Sequence, residues 1–198
     1  MCVRISIILF STIGLMLVNC GRKIDPQTPT FTKADSLTDL YLSLQDSMLQ
    51  SWNIMINDDN QKIKAMHNLL HELSITSSSA ELHAYEEQLE HLKDLRYNQK
   101  SLAQEDIIEE YDFASRLLIT ELIGIAESRT EFAYNTTLQK LVEEIRVANQ
   151  RVAFYRQGYD AITRKYNSFL QANRNYLYEI SENDSLELKP LFQMTNGE

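Results

Sequence analysis

The sequence predicts an all-α protein: an antiparallel bundle of three to four long helices behind a signal peptide and a flexible tether. Three observations carry this. The chain holds three Pro, at 26, 29 and 190, so none interrupts residues 30–189. It holds only five Gly, whereas β folds draw heavily on Gly and Pro for their turns. Its apolar residues recur at steps of three and four, the period of one helix face. Length sets one domain as the default, residues 35–198, after a signal peptide at 1–19 and a tether at 20–34.

The N-terminus reads as an address. Arg4 is followed by an apolar run from Ile5 to Val18, too short to span a bilayer comfortably and suited to a signal-peptide core. Leu17-Val18-Asn19-Cys20 resembles a lipobox, which makes Cys20 the expected lipidation site and acylation (palmitate among the chains) the expected anchor. Each buried methylene contributes about 0.8 kcal/mol, and more than one chain holds a protein durably on a membrane. The alternative is an uncleaved anchor helix. Cys2 leaves with a cleaved signal peptide, so the mature chain has no disulfide. Gly21-Arg22-Lys23-Ile24-Asp25 has no Asp directly after the Cys and no acidic pair. The expected location is therefore the cell envelope, facing the periplasm, with the outer membrane favoured. Pro26, Pro29 and the nearby Thr residues mark the tether.

Helix expectations follow in order. Ser36 with Asp39 resembles a capping box, and Leu37, Leu40, Leu44, Met48, Trp52, Met55 and Ile56 form one stripe. The stripe weakens over Asn57-Asp58-Asp59-Asn60-Gln61, read as a solvated turn of helix rather than a kink, because no Pro or Gly is present. It resumes with Ile63, Met66, Leu70 and Leu73, giving one helix over about 36–75. Leu82, Tyr85, Leu89 and Leu92 predict a second helix over about 79–97, with Ser78 and Glu81 as a cap. Ile107 or Ile108, Tyr111, Ala114, Leu118, Leu122 and Ile125 predict a third over about 102–130, either separate from the second or continuous with it as one bent helix. Asn135-Thr136-Thr137 restarts a last helix over about 137–180, and the tail is expected to pack through Leu186, Leu188, Leu191 and Phe192.

Charge helps to order the bundle. The formal charge is −9, which argues against binding nucleic-acid phosphates or an anionic lipid surface by electrostatics. Residues 80–113 hold ten Asp or Glu against three Lys or Arg, and residues 137–180 hold seven Lys or Arg against four Asp or Glu. Acidic helices beside a basic one favour this packing order, each exposed pair adding about 0–1 kcal/mol.

Candidate chemistry is sparse. His67 and His71 are four apart on one face, without a Glu in metalloprotease spacing. The residues three before the four His are Lys64, Asn68, Ala80 and Gln88, so the Glu-x-x-His of a di-iron bundle is absent. The expectation is no catalytic residue, no metal and no cofactor. Tyr155, Tyr159, Tyr166, Tyr176 and Tyr178 are candidates for a partner surface, with Tyr159 and Tyr166 read as core. Asn68 and Asn167 are expected to hydrogen-bond across helices if they face inward.

The stretch Asn149 to Asn167 is the most distinctive. Arg151, Val152, Ala153, Phe154, Arg156, Gln157, Tyr159, Asp160, Ile162, Tyr166 and Asn167 resemble the LemA family signature, roughly R-I-A-F-A-R-x-x-Y-N-x-x-V-x-x-Y-N, without a gap. Asp160 stands where the family usually has Asn, Tyr155 where it has a small residue, and Asn149 where it has an acid. The resemblance continues through Leu138 to Ile145, Trp52, Asn68-Leu69 and the Lys189-Pro190-Leu191-Phe192 end, covering roughly 37–192 and weakest between Thr76 and Thr137. It implies a helical, membrane-associated protein and no enzymatic activity. The expected function is a lipid-anchored, non-enzymatic scaffold or interaction module with an envelope protein as partner and no small-molecule substrate. The alternative is a holdase-like chaperone for envelope clients. Under the scaffold reading, Arg156 and Tyr159 are the pair to test for partner contact.

Overall fold

The computed structural model describes residues 32–76, 79–180 and 186–192. The expected signal peptide, Cys20, most of the expected tether and the expected Ser78–Glu81 cap lie outside the described residues or side chains. Among the described residues there are four α-helices: α1 (Lys33–Thr76), α2 (Ser79–Asp94), α3 (Glu105–Ser128) and α4 (Thr136–Ile180). Two short 3-10 turns, Ser101–Ala103 and Thr130–Ala133, join α2 to α3 and α3 to α4. The all-α bundle expected from the sequence is present.

The helices alternate in direction. Asn60 of α1 meets Arg96 beyond the end of α2, Glu127 of α3 meets Arg146 of α4, Tyr41 of α1 meets Tyr166 of α4, and Glu72 of α1 meets Asn135 just before α4. α2 and α3 are separate helices, so the single bent helix does not form. Asn98 explains the break: its side-chain oxygen accepts the backbone N–H groups of Lys100 and Ser101, turning the chain before α3. Asn135 caps α4 in the same way, accepting from Thr137 and Leu138. The Ser36 capping box does not form, because α1 already begins at Lys33.

Helix length decides the architecture. α1 and α4, with 44 and 45 residues, each run to about 66 Å, whereas α2 and α3 have 16 and 24. Four helices therefore share one core, with Met66, Leu69, Leu70, Leu73, Leu89, Leu92, Leu118, Leu122, Leu138 and Ile145 buried. Beyond the ends of α2 and α3, α1 and α4 continue as a pair. Their second core is Tyr41, Tyr166, Leu170 and Leu177, completed by Leu186 of the tail. Leu186 and Phe192 are buried as expected, but Leu188 is half exposed and does not pack. Leu40 is also outward, and Tyr41 takes the inner position instead.

Candidate functional site: the polar and aromatic junction

Where the four-helix core gives way to the α1–α4 pair, the interior turns polar. The cause lies in α1. Its seam runs Met48, Trp52, Met55, Asp59, Lys62, Met66, Leu69 and Leu73, alternating steps of four and three. Asp59 and Lys62 thus occupy core positions of an unbroken helix. Asp58 and Lys62 are buried and the Asp59 side chain is 11% exposed, so the solvated turn expected for residues 57–61 is wrong at its centre. Asn57, Asn60 and Gln61 do face outward.

Each buried charge has partners. The Asp59 carboxylate accepts from the Tyr111 hydroxyl at 2.7 Å to either oxygen, and pairs with Lys62 at 2.9 Å and Arg96 at 2.7 Å. Burial alone pushes this carboxyl up, but Lys62, Tyr111 and Arg96 together hold it below its ordinary value. The phenol of Tyr111 moves far upward, through burial and the Asp59 charge. Asp58, on the next face of α1, pairs with Arg151 of α4.

Arg156 is the second centre. Named with Tyr159 as the pair to test for partner contact, it is instead 5% exposed. Its guanidinium donates two 2.6 Å hydrogen bonds to the two oxygens of Asp112 on α3, and a third at 3.1 Å to the Tyr97 hydroxyl. Burial opposes the charge, but Asp112 and Tyr97 more than offset it, so the guanidinium is held protonated. It also lies 5.4 Å from the Tyr97 ring centre and 5.0 Å from that of Phe192. Around it the rings of Trp52, Tyr97, Tyr159 and Phe192 pack at centroid distances of 5.5 to 6.4 Å. A cavity of ≈ 250 Å³ opens beside this centre, lined among others by Asp58, Asp112, Ser115, Arg116, Asn149 and Arg156.

The tail closes the junction. Asn167 donates to the Lys189 carbonyl at 2.8 Å and accepts the Lys189 N–H at 2.9 Å. The Phe192 N–H donates to Asp160 at 2.9 Å. Burial pushes the Asp160 carboxyl above its ordinary value, partly countered by that N–H and by Arg164 and Arg156.

The signature residues therefore divide. Arg156, Tyr159 and Tyr166 are buried, Arg151 and Ile162 are half-buried, and Asn167 holds the tail. Ala153 and Phe154 face outward, Phe154 at 71% exposure. Since Arg156 and Tyr159 are both interior, they are not a surface pair for partner contact. Asn68 is exposed and makes no cross-helix bond of the kind expected, while Asn167 bonds to the tail instead of a helix. His67 and His71 are exposed, and His83 lies 3.4 Å from Glu87 one turn along α2. Among the described residues no group of three or more His, Cys, Asp and Glu is arranged to hold a metal, and no helix is long and apolar enough to cross a membrane.

Sequence reasoning passed over Asp58, Asp59, Lys62, Tyr97 and Asp112. A signal existed for two of them: Asp59 and Lys62 fall in phase with the apolar seam. Asp112 and Tyr97 carry no such signal, because only the fold brings them to Arg156.

No family model matches the chain, and no curated protein or solved structure matches it either.

Proposed function

We propose that this protein is a LemA-like, lipid-anchored protein of the cell envelope, working without catalysis as an interaction or scaffold module. The anchor is acylated Cys20 and the location is periplasm-facing. The observation that carries the reading is an apolar groove between α2 and α3. Phe113 and Leu117, 67% and 47% exposed, stand one turn apart on α3. With Ala84, Gln88, Ala114 and Leu118 they line a groove of ≈ 450 Å³, edged by Glu87 and His91. Large apolar side chains left in a groove mark an interaction surface. Exposed Glu86, Glu90, Glu109 and Glu110 lie on the same two helices, so the groove favours a partner segment with apolar anchors and basic flanks. The interior charges are spent on one another, which supports a structural role for them.

The test is crosslinking of membranes carrying the full chain, followed by capture and mass spectrometry. It compares the native protein with Cys20→Ser and with Phe113→Ser plus Leu117→Ser. One reproducible partner, lost in the groove variant and weakened in Cys20→Ser, supports the reading. No partner, with native and Cys20→Ser forms equally membrane-bound, overturns both the scaffold and the lipid anchor. A second reading, a holdase-like chaperone, draws on exposed Leu42, Leu49, Ile54, Phe154 and Tyr178 outside the groove. It predicts many unrelated envelope proteins in the capture, and saturable protection of unfolded outer-membrane proteins from aggregation.

A further inference from the structure

The C-terminal segment is seated on the helices as a ligand would be. Residues 186–192 are neither helix nor strand, and they run antiparallel to α4. Leu186 lies in the core of Tyr166, Leu170 and Leu177, Lys189 faces Asn167, and Phe192 faces Asp160. The spacing is that of an extended chain: from Lys189 to Phe192 it covers about 10 Å, as does α4 from Asn167 back to Asp160.

Its attachments are those of a peptide site. Asn167 offers one donor and one acceptor to the backbone of a single residue, as a neighbouring strand would. Asp160, itself 1% exposed, accepts a backbone N–H. Only two side chains of the segment are buried, Leu186 and Phe192, six residues apart. Phe192 enters a box of Trp52, Tyr97 and Tyr159 with the Arg156 cation against its face. Pro190 biases Lys189 towards extended backbone, so the segment is partly organised before it docks. Here a site of side chains reads a backbone.

We propose that the α1–α4 face from Leu177 to Tyr159 is a binding site for an extended peptide with an apolar residue, a Pro four positions on and an aromatic two after that. Residues 186–192 of the chain itself occupy it in cis, and a partner segment of this pattern takes the site when that tail is displaced. The tail is covalently joined to the helix that carries its site, so its effective concentration is on the order of millimolar and a free peptide competes poorly until the tail is weakened. This surface is distinct from the α2–α3 groove, and the inference stands or falls without it.

Trp52, the sole Trp of the chain, stacks against Phe192 at 6.4 Å and reports occupancy by its fluorescence. The experiment uses the full chain carrying Phe192→Ala and a synthetic peptide of residues 184–194, which has no Trp. Circular dichroism is read first. Retained helix, with red-shifted Trp52 emission that the peptide reverses saturably, supports the site. Half-saturation should be at least tenfold weaker for the unsubstituted chain, for a peptide with Ala in place of its Phe, and for Asn167→Ala plus Phe192→Ala. A helical Phe192→Ala chain whose Trp52 ignores the peptide overturns the proposal. If the Phe192→Ala chain loses helix, Asn167→Ala is titrated in its place: a saturable Trp52 response supports the site, and its absence overturns the proposal.

Discussion

Asn167 and Lys189 exchange two hydrogen bonds, side-chain amide to backbone peptide, at 2.8 and 2.9 Å. One residue of α4 thereby fixes the register of a tail that carries Phe192 into the aromatic box. Asn167→Ala should release the segment before it unfolds the bundle. Net hydrogen bonds are worth about 0.5–1.5 kcal/mol each, so the expected loss is about 1–3 kcal/mol, concentrated at the tail. Hydrogen exchange should show the Lys189 and Phe192 amides unprotected while the Leu118 and Ile145 amides stay protected. Asn167→Asp should fall between, since it accepts from Lys189 but no longer donates.

Asp59 stabilises only in company. Asp59→Ala strands Lys62, Tyr111 and part of Arg96, and removing one partner of a buried pair costs about 3–5 kcal/mol. Asp59→Leu together with Lys62→Met completes the apolar seam of α1 and should recover most of that loss. Urea denaturation of the three chains measures the non-additivity; a double variant as unstable as the single one would show that the charges do more than pair.

Acid should separate the same chains. The folded Asp59 carboxyl sits below its unfolded value, so its contribution is complete above about pH 4 and is lost as pH falls through the folded value. The unsubstituted protein should lose stability on acidification by this route, and the Asp59→Leu, Lys62→Met chain should lose less. Thermal melts between pH 2 and 7 give the comparison.

Asp160 carries the opposite sign. Its folded carboxyl is raised, so its contribution is greatest at low pH and declines as pH climbs from the unfolded to the folded value. Asp160→Asn keeps an oxygen for the Phe192 N–H and removes the cost of burying a charge. At pH 7 it should melt at or above the temperature of the unsubstituted chain, with Trp52 emission unchanged.

Arg156 is not replaceable by Lys. The ammonium keeps the charge but gives up the two-pronged bond to Asp112 and the flat contact with Tyr97 and Phe192. Losing a hydrogen bond to a buried charge costs about 1.5–3 kcal/mol, so Arg156→Lys should lower the denaturation midpoint and red-shift Trp52. A neutral outcome in both would remove Arg156 from the centre of the junction.

The sequence by itself determined the all-α class and the two long helices, because periodicity and missing Pro act locally, but it left the second and third helices open as two or one until the Asn98 turn was seen to part them. It determined the burial of Tyr159 and Tyr166 by their phase on α4, and the break at Asn135 by its capping chemistry. Only the tertiary structure decided that Asp59 and Lys62 are interior, because polarity suggests solvent unless Arg96 and Tyr111 arrive from other segments. The same holds for Arg156, which needs Asp112 from 44 residues away, and for Asn167, whose partner is 22 residues on. A helix requires only its neighbours in the chain, whereas a buried charge or a docked tail requires groups that meet only after the helices have packed.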